Sequence, residues 1–243
     1  MMGMGILWEL ALDVLLPRAC AHCREDLARA DGPLCRACDS ALPPPPEPAC
    51  VRCAGRRGGP SPFCADCAGR RFSCRLIRAA AAHRGPAASL VHAFKFRGSR
   101  PAAKAAGRRM AAALSLRPEL SGFDALTAVP AHPRRERERG YNQAELLARE
   151  IAAATGLPLV DALRRARGAA PAWRLGRVER RAELAGAYAP REEAAALVAG
   201  KRVLIVDDVS ATGTTFEECA AVLRAAGAAD AAGYAFARAG SFT

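Results

Sequence analysis

Two adjacent acidic residues, Asp207 and Asp208, stand between an apolar run and a loop of small residues in the segment VLIVDDVSATGTT, residues 203–215. An ionised carboxylate only accepts hydrogen bonds, and a ribose offers two neighbouring hydroxyl donors. The TGTT residues at 212–215 lead into a helix-like stretch, and the free N–H groups and the dipole at the start of a helix favour a phosphate. The segment therefore predicts a site for a ribose 5-phosphate unit. An incidental acidic turn at the edge of a sheet is the alternative.

Other glycine-rich nucleotide motifs do not account for this segment. The sequence has no G-x-x-x-x-G-K-[ST] P-loop, and no G-x-G-x-x-G opens a first βαβ unit. A nucleoside triphosphatase or a dinucleotide-dependent enzyme is therefore not indicated.

Most of the cysteines fall into four C-x-x-C pairs, which are Cys20 with Cys23, Cys35 with Cys38, Cys50 with Cys53, and Cys64 with Cys67. Two residues between thiolates let one tight turn present both sulfurs to a tetrahedral ion, and a second pair completes a four-thiolate shell. The pattern predicts structural zinc in two repeats separated by PPPPEP, residues 43–48. One ion per repeat and a single interleaved site both remain open, and a disulfide framework is the alternative.

Three further residues near this chemistry are not expected to take part in it. His22 lies inside the first C-x-x-C pair but is expected to be solvated, because four thiolates already complete the shell. Cys74 and Cys219 are expected to be semi-buried thiols rather than ligands or nucleophiles.

The acidic pair needs a framework that places it at the end of a buried strand. Alternating amphipathic stretches and short apolar runs predict an α/β domain with a mostly parallel sheet flanked by helices. The expected elements are a short helix at Ile6–Leu16, a helix at Arg100–Leu114, a strand at Asp124–Pro130, a helix at Asn142–Gly156, a short strand near Leu159, a long mobile loop at Arg164–Arg181, a strand at Lys201–Asp208, a final helix and a strand at Gly233–Ala239. Ligands of such sheets bind beyond the carboxyl ends of the strands.

The overall composition favours a phosphate-bearing partner without choosing one. The formal net charge is +12 over 243 residues, which suits nucleotides, nucleic acid or an anionic surface. No apolar stretch approaches the roughly 20 residues that cross a bilayer. We therefore expect a cytoplasmic protein without stable membrane insertion.

The segment VLIVDDVSATGTT resembles the phosphoribosyl pyrophosphate (PRPP) binding signature of type I phosphoribosyltransferases. The chain as a whole resembles the ComF family, in which a Cys-rich zinc-binding segment precedes a phosphoribosyltransferase-like domain. The supporting motifs are FKFRG at 94–98, VPAHPRRERERGYNQAELLA at 129–148 and RVERRAELAGAY at 177–188. The resemblance implies a Cys-rich double zinc-binding module with an N-terminal helix at 1–73 and the transferase-like domain at 74–243.

The resemblance also implies roles for individual residues. Asp207 and Asp208 would meet the ribose hydroxyls as the catalytic pair. The remaining PRPP-binding residues would be Val209, Ser210, Ala211, Thr212, Gly213, Thr214 and Thr215. The pyrophosphate loop would be Pro130, Ala131, His132, Pro133, Arg134 and Arg135. Mobile-loop residues at the mouth of the site would be Arg137, Arg139, Tyr141, Asn142, Gln143 and Arg180. The chain departs from the family at Ala172 and Glu183, where a Gln and an Asn are common.

The implied activity is that of a PRPP-dependent glycosyltransferase with Mg²⁺, linked to DNA uptake in natural competence. No stretch of the sequence identifies an acceptor, and His132 is as readily a spectator as a general base. Two other functions stay open, a single-stranded DNA-binding accessory of the competence machinery and a PRPP sensor without turnover. For the first, Phe94 and Phe96 alternate with Lys95 and Arg97, a pattern that could stack bases, although a core Phe with a solvated Lys is the alternative.

Overall fold

The computed structural model describes residues 18–27, 32–166 and 184–240. The helix expected at Ile6–Leu16, most of the loop expected at Arg164–Arg181, and the residues Ala172, Arg180 and Glu183 lie outside the described residues.

A parallel sheet forms the centre of the molecule. The strands of the described residues are β1 (Ile77–Ala82), β2 (Ala125–Ala128), β3 (Leu163–Arg165), β4 (Tyr188–Pro190), β5 (Arg202–Ser210) and β6 (Asp230–Arg238). Four of them pair in the order β1-β6-β5-β2, all parallel. The strand expected near Leu159 is a single parallel bridge to Leu126 at the edge of this sheet.

Helices cover both faces of the sheet. Those of the described residues are α1 (Arg36–Ser40), α2 (Gly85–Phe96), α3 (Arg100–Leu114), α4 (Pro133–Arg139), α5 (Gln143–Thr155), α6 (Ala194–Val198) and α7 (Thr214–Ala225). The predicted helix at Asn142–Gly156 is confirmed with its caps, because the Asn142 side chain accepts from the Ala144 N–H and Gly156 takes the left-handed conformation. The α/β fold class predicted from the sequence is confirmed.

The alternation of side chains along β5 divides the interior into two cores. Leu204 and Val206 pack with residues of α2, α3 and α5, whereas Val203 and Ile205 pack with residues of α6 and α7 on the opposite face. Burial on both faces explains why the strand reads as a continuous apolar run up to the first acidic residue. The acids therefore begin where the two cores end.

The segment expected to be a loop from Arg164 begins instead as a strand. Residues 163–165 of β3 pair antiparallel with 188–190 of β4 in a small second sheet. In this sheet the buried Leu163 pairs with Pro190, and Arg165 pairs with the buried Tyr188.

The start of α7 is fixed against the sheet by one close approach. A Cβ atom on Gly233 of β6 would lie 2.6 Å from the Phe216 ring, which is almost completely buried in the first turn of α7. The absence of a side chain at residue 233 thus allows the ring to lie flat on the strand and sets the position of the helix that follows the acidic pair.

We predict that Gly233→Ala lowers the free energy of unfolding by about 1–3 kcal/mol, because the added methyl group overpacks the Phe216 ring. Urea unfolding should measure the loss. The double variant Gly233→Ala/Phe216→Leu should be less destabilised than the sum of its single variants. Equal stability of Gly233→Ala and the wild type would contradict the prediction.

Candidate functional site

The acidic pair lies at the carboxyl end of β5, in the interior of the sheet. Asp207 pairs with Ala235 of β6 on one side, and on the other side β2 ends at Ala128, opposite Val206. Asp208 is only 3% exposed, and its backbone N–H donates to Asp207 Oδ1 at 2.8 Å. Two carboxylates in this setting require a nearby positive charge.

That charge comes from Lys95, which the sequence analysis did not assign to the site. Its Nζ atom lies 2.7 Å from Asp208 Oδ1, and its side chain is 23% exposed. The other carboxylate oxygen of Asp208, Oδ2, is buried and has no hydrogen-bond partner among the described residues. One oxygen of the acid is thus neutralised, while the other remains available as an acceptor.

The end of α2 that carries Lys95 is clamped by two side chains from the region around α4. The Arg139 guanidinium donates from Nε to the Lys95 carbonyl oxygen at 2.7 Å, and the Tyr141 hydroxyl donates to the Phe94 carbonyl oxygen at 2.6 Å. These bonds hold the Lys95 backbone in place. The lysine is therefore part of a built arrangement and is not a solvated surface group, contrary to the alternative that the sequence left open for it.

The aromatic pattern around this lysine does not form a stacking platform of two rings. Phe94 is fully buried in the core, whereas Phe96 is 67% exposed and lies beside His92, with their ring centroids 5.2 Å apart. Residues two apart on a helix point in different directions, so only Phe96 faces solvent.

Electrostatics at the acidic pair favour retention of a proton. Burial, and secondly the charge of Asp208, raise the pKa of Asp207 to about 8, although the ammonium of Lys95 and the guanidinium of Arg165 oppose the shift. Burial and the Lys95 charge also lower the pKa of His83 at the end of β1. Both shifts favour the uncharged form of the group, the protonated acid at Asp207 and the neutral imidazole at His83.

The predicted phosphate loop follows the acids directly. Ser210 ends β5, residues 211–213 turn, and α7 begins at Thr214. Gly213 has a φ of +80°, and a Cβ there would lie 2.6 Å from the Ile77 side chain, so a glycine is required. The hydroxyls of Thr212 and Thr214 lie 2.9 Å apart at the helix start, where the Thr214 N–H donates to Thr212 Oγ1 at 3.4 Å. The turn presents the donors that an anion needs.

The predicted pyrophosphate loop lies at the same edge of the sheet. Residues 130–132 connect β2 to α4, and the Val129 N–H donates to the Val206 carbonyl oxygen, so this loop leaves the sheet next to Asp207. His132 caps α4, with its Nδ1 accepting from the Arg134 N–H at 3.2 Å. Burial and the charges of Arg165 and of the α4 arginines lower the pKa of His132.

Of the residues assigned to a mobile loop, three lie in helices instead, and Tyr141 and Asn142 lie in the short connection between α4 and α5. Arg137 and Arg139 belong to α4, Tyr141 and Asn142 are buried, and Gln143 starts α5. The physical reason is local, because Pro133 starts α4, Gly140 ends it and Asn142 caps the next helix. Arg180, assigned with them, lies outside the described residues.

Two cavities flank this edge of the sheet. The larger, of about 460 Å³, is lined by residues 211–214 of the phosphate turn and by the second cysteine repeat, including Arg52 and Arg70. The smaller, of about 360 Å³, is lined by Pro130, Asn142 and the bridge at Leu159. The site therefore has open space on its phosphate side and on its pyrophosphate-loop side.

The eight paired cysteines form two separate clusters, one per repeat. In each, the four Sγ atoms lie within 4.8 Å of one another: Cys20, Cys23, Cys35 and Cys38 in the first, and Cys50, Cys53, Cys64 and Cys67 in the second. All ten cysteines are free, so the disulfide alternative is not supported. His22 bonds to Ser89 and is not in the cluster. The four-sulfur geometry fits structural zinc, one ion in each repeat, and leaves no position for catalysis by the metal.

Comparison with known proteins agrees with both parts of this description. Residues 138–241 match the family described as phosphoribosyl transferase domain, and residues 11–68 match the double zinc ribbon domain. The DNA utilization protein YhgH of Salmonella typhi is 29% identical over 218 residues, which are 88% of this chain and 94% of that protein. Together these matches support a ComF-type arrangement, in which a double zinc ribbon precedes a phosphoribosyl transferase domain.

Solved structures similar to this ComF-type chain are remote. The allosteric regulatory enzyme of purine biosynthesis is 22% identical with a TM-score of 0.38, and the match covers 54% of this chain and 25% of that one. The glutamine PRPP amidotransferase from B. subtilis is 22% identical with a TM-score of 0.36, covering 56% and 26%. TT1426 from Thermus thermophilus is 16% identical with a TM-score of 0.34, covering 58% and 85%. This chain thus spans about a quarter of the first two proteins.

Among the described residues of the ComF-type chain, no helix has the length and apolar character needed to span a membrane.

We predict that the stability of the ComF-type chain falls as the pH rises toward 8. The pKa of Asp207 is raised from 3.8 to about 8 in the folded protein, so the folded state keeps a proton that the unfolded chain has released. Stability falls with pH wherever the folded state binds more protons, here by at most about 1.4 kcal/mol per pH unit. Denaturant unfolding of wild type and Asp207→Asn at several pH values checks this. Parallel pH profiles for the two proteins would refute it.

Proposed function

We propose that this ComF-type protein binds PRPP together with Mg²⁺ at the carboxyl end of β5 and acts as a phosphoribosyltransferase. The observation that carries the proposal is the order of features along one segment. The acidic pair at the end of β5 is followed directly by the turn that contains Gly213, and then by the N-terminus of α7. This succession offers acceptors for a ribose diol and donors for its 5-phosphate within one rigid segment. The match of residues 138–241 to the phosphoribosyl transferase domain supports the proposal.

In the proposed complex, the carboxylates of Asp207 and Asp208 accept hydrogen bonds from the ribose hydroxyls, while residues 211–215 hold the 5-phosphate. The pyrophosphate extends toward residues 130–135, where the backbone of the loop and the arginines of α4 offer positive charge. Bound Mg²⁺ would neutralise pyrophosphate oxygens. An acceptor then bonds to the anomeric carbon as the bond to pyrophosphate breaks, and the protein mainly positions the groups and stabilises charge.

Lys95 has a defined part in this arrangement. Without ligand it compensates the charge of Asp208 at 2.7 Å. When ribose hydroxyls reach the free oxygen of Asp208, the ammonium remains at the border between the ribose and the pyrophosphate side. It thereby adds positive charge where the leaving group departs.

We predict that PRPP binds the wild type in the presence of Mg²⁺ and that Asp207→Asn/Asp208→Asn lowers the affinity by at least about a hundredfold, because an amide nitrogen replaces an acceptor oxygen at both residues and the negative charge of Asp208 is lost. Calorimetric titration measures this. The control is Asp124→Asn, because Asp124 bonds to Arg202 at the opposite end of β5. Equal affinity of the double variant and the wild type would remove the acidic pair from the proposed site.

A screen for pyrophosphate release on the same samples separates an enzyme from a sensor. Release that depends on an added acceptor and disappears in the acidic-pair variant would establish transfer. Binding without release for any acceptor would favour a PRPP sensor without turnover.

A second candidate function, binding of single-stranded DNA, rests on a different surface. Phe96 is 67% exposed at the end of α2, and the neighbouring helix α4 carries four arginines in the sequence PRRERER. An exposed ring beside positive charge suits stacking of a base and contact with the backbone. The name of the Salmonella typhi relative, a DNA utilization protein, is consistent with a role in DNA uptake in natural competence.

For this candidate we predict that Arg135→Gln/Arg137→Gln weakens binding of a single-stranded oligonucleotide and lowers the salt slope of log K by about 1.4, since each lost phosphate contact contributes about 0.7. Fluorescence anisotropy over a salt series measures both. Arg224→Gln, at the far end of α7, is the control and should leave the slope unchanged. DNA binding should also survive in Asp207→Asn/Asp208→Asn. An unchanged slope in the α4 variant would exclude α4 as the DNA surface.

Within this proposal, residues 1–73 form the zinc-binding module and residues 74–243 the transferase-like domain. We place the protein in the cytoplasm, because free paired thiols suit a reducing compartment.

A further inference from the structure

Arg238, the last residue of β6, lies almost completely buried between the second cysteine repeat and the phosphate turn, with 7% exposure. Its Nε atom donates to the Cys53 carbonyl oxygen at 3.1 Å, and its guanidinium also donates to the carbonyl oxygen of Ser210 at 3.0 Å and to that of Ala211. One side chain therefore bonds both to a zinc-ligand residue and to the residues where β5 passes into the phosphate turn.

The second ribbon, residues 50–67, is docked at this position by further bonds. Arg52 donates to the carbonyl oxygens of Cys74 and Arg75 at 3.0 and 2.9 Å. The carboxylate of Glu217, in the first turn of α7, accepts from the N–H groups of Ser73 and Cys74 at 2.5 and 3.1 Å. The ribbon, the segment that follows it and the start of α7 thus form one continuous polar network around the cavity of about 460 Å³.

The carbonyl that Arg238 binds belongs to the C-x-x-C turn between Cys50 and Cys53. This turn has a small core of its own, made of cysteines with Phe72 packed against them. A turn with so little apolar packing depends on its metal for its shape, because zinc binding supplies the folding free energy of such sites.

We propose that Arg238 is a positioning residue that couples the second zinc ribbon to the phosphate turn, so that zinc in the Cys50–Cys67 cluster favours binding of the phosphate-bearing ligand. The proposal rests on the proposed function. Because coupling between two binding sites is reciprocal, the ligand also raises the affinity of this cluster for zinc. Arg238 lies within the transferase match and Cys53 within the ribbon match, so the contact joins the two parts.

The first ribbon provides an internal comparison. It contacts helices α2 and α3 instead, where His22 bonds to Ser89 and Asp39 pairs with Arg109. Its cysteines pack into the large core on that face of the sheet. Loss of its zinc should therefore act on stability and not on the phosphate turn.

Two glycines of the second ribbon give a matched pair of variants. A Cβ on Gly55 would lie 2.8 Å from the Arg238 guanidinium and 3.2 Å from Cys53 Sγ, at the contact between Arg238 and the ribbon, whereas a Cβ on Gly58 would meet nothing within 4 Å. Neither glycine has a positive φ, so alanine is tolerated by the backbone at both. Gly55→Ala should displace the guanidinium and weaken PRPP binding by about tenfold, a typical coupling. Gly58→Ala should bind like the wild type.

A second pair of variants tests the metal itself. Cys64→Ser and Cys23→Ser each remove one of four ligands, from the second and the first cluster, at the most exposed cysteine of each. Three quantities are measured on the full chain: PRPP affinity, zinc release to a chelator with and without PRPP, and hydrogen exchange of the amides at 210–215. Cys64→Ser and Gly55→Ala should increase that exchange, and Cys23→Ser and Gly58→Ala should not. In Cys23→Ser, PRPP should raise the zinc affinity of the intact second cluster, measured at equilibrium against the chelator, by at least about fivefold.

The outcomes separate the two proposals. Wild type that binds PRPP, with equal affinity and equal exchange at 210–215 in Gly55→Ala and Gly58→Ala, would overturn the coupling and leave the proposed function intact. Increased exchange in Gly55→Ala and Cys64→Ser, with no binding of PRPP by the wild type, would support the coupling and overturn the proposed ligand.

Discussion

The ion pair between Lys95 and Asp208 is the interaction on which the arrangement of the site depends. A central strand buried on both faces delivers two consecutive carboxylates to a place with little water, and such charges are costly without a partner. The lysine comes from the end of α2, so α2 must end beside β5. Tyr141 and Arg139 hold that helix end through its backbone carbonyls. The same requirement therefore fixes α2, the region of α4 and the carboxyl end of β5 relative to one another.

The order of the strands places the residues of the proposed site together at one edge of the sheet. β5 lies between β6 and β2, so the turn after β5, the loop after β2 and Arg238 at the end of β6 all emerge from neighbouring strands. Parallel strands bring their carboxyl ends together, and connections of different length can then approach one ligand. Because glycine has no side chain, the turn at Gly213 can lie close to Ile77, and the Phe216 ring of α7 can lie close to Gly233 of β6.

The two ribbons have the same ligand pattern and different surroundings. The first ribbon packs into a large apolar core against α2 and α3. The second ribbon has a small core of its own, and hydrogen bonds of Arg52, Glu217 and Arg238 connect it and the segment that follows it to the domain. The hydrophobic effect is non-directional, whereas hydrogen bonds depend on the direction between donor and acceptor. A change in the geometry of the second ribbon can therefore alter the geometry of the phosphate turn.

The sequence by itself determined the local features of this protein. Periodicity and capping residues predicted the helices at 100–114 and 142–156, the apolar run predicted the buried strand before Asp207, and C-x-x-C spacing predicted zinc bound by four cysteines, because each of these depends on neighbouring residues. The structure then showed two separate clusters, a choice that the spacing had left open. Local signals also existed for α4, where Pro133 and Gly140 bound a helix, but the family resemblance suggested a loop instead. Only the tertiary structure decided which distant groups meet. Lys95 on Asp208, and Arg238 on Cys53, 185 residues away, arise from the packing of whole elements, and no periodicity within either segment encodes them.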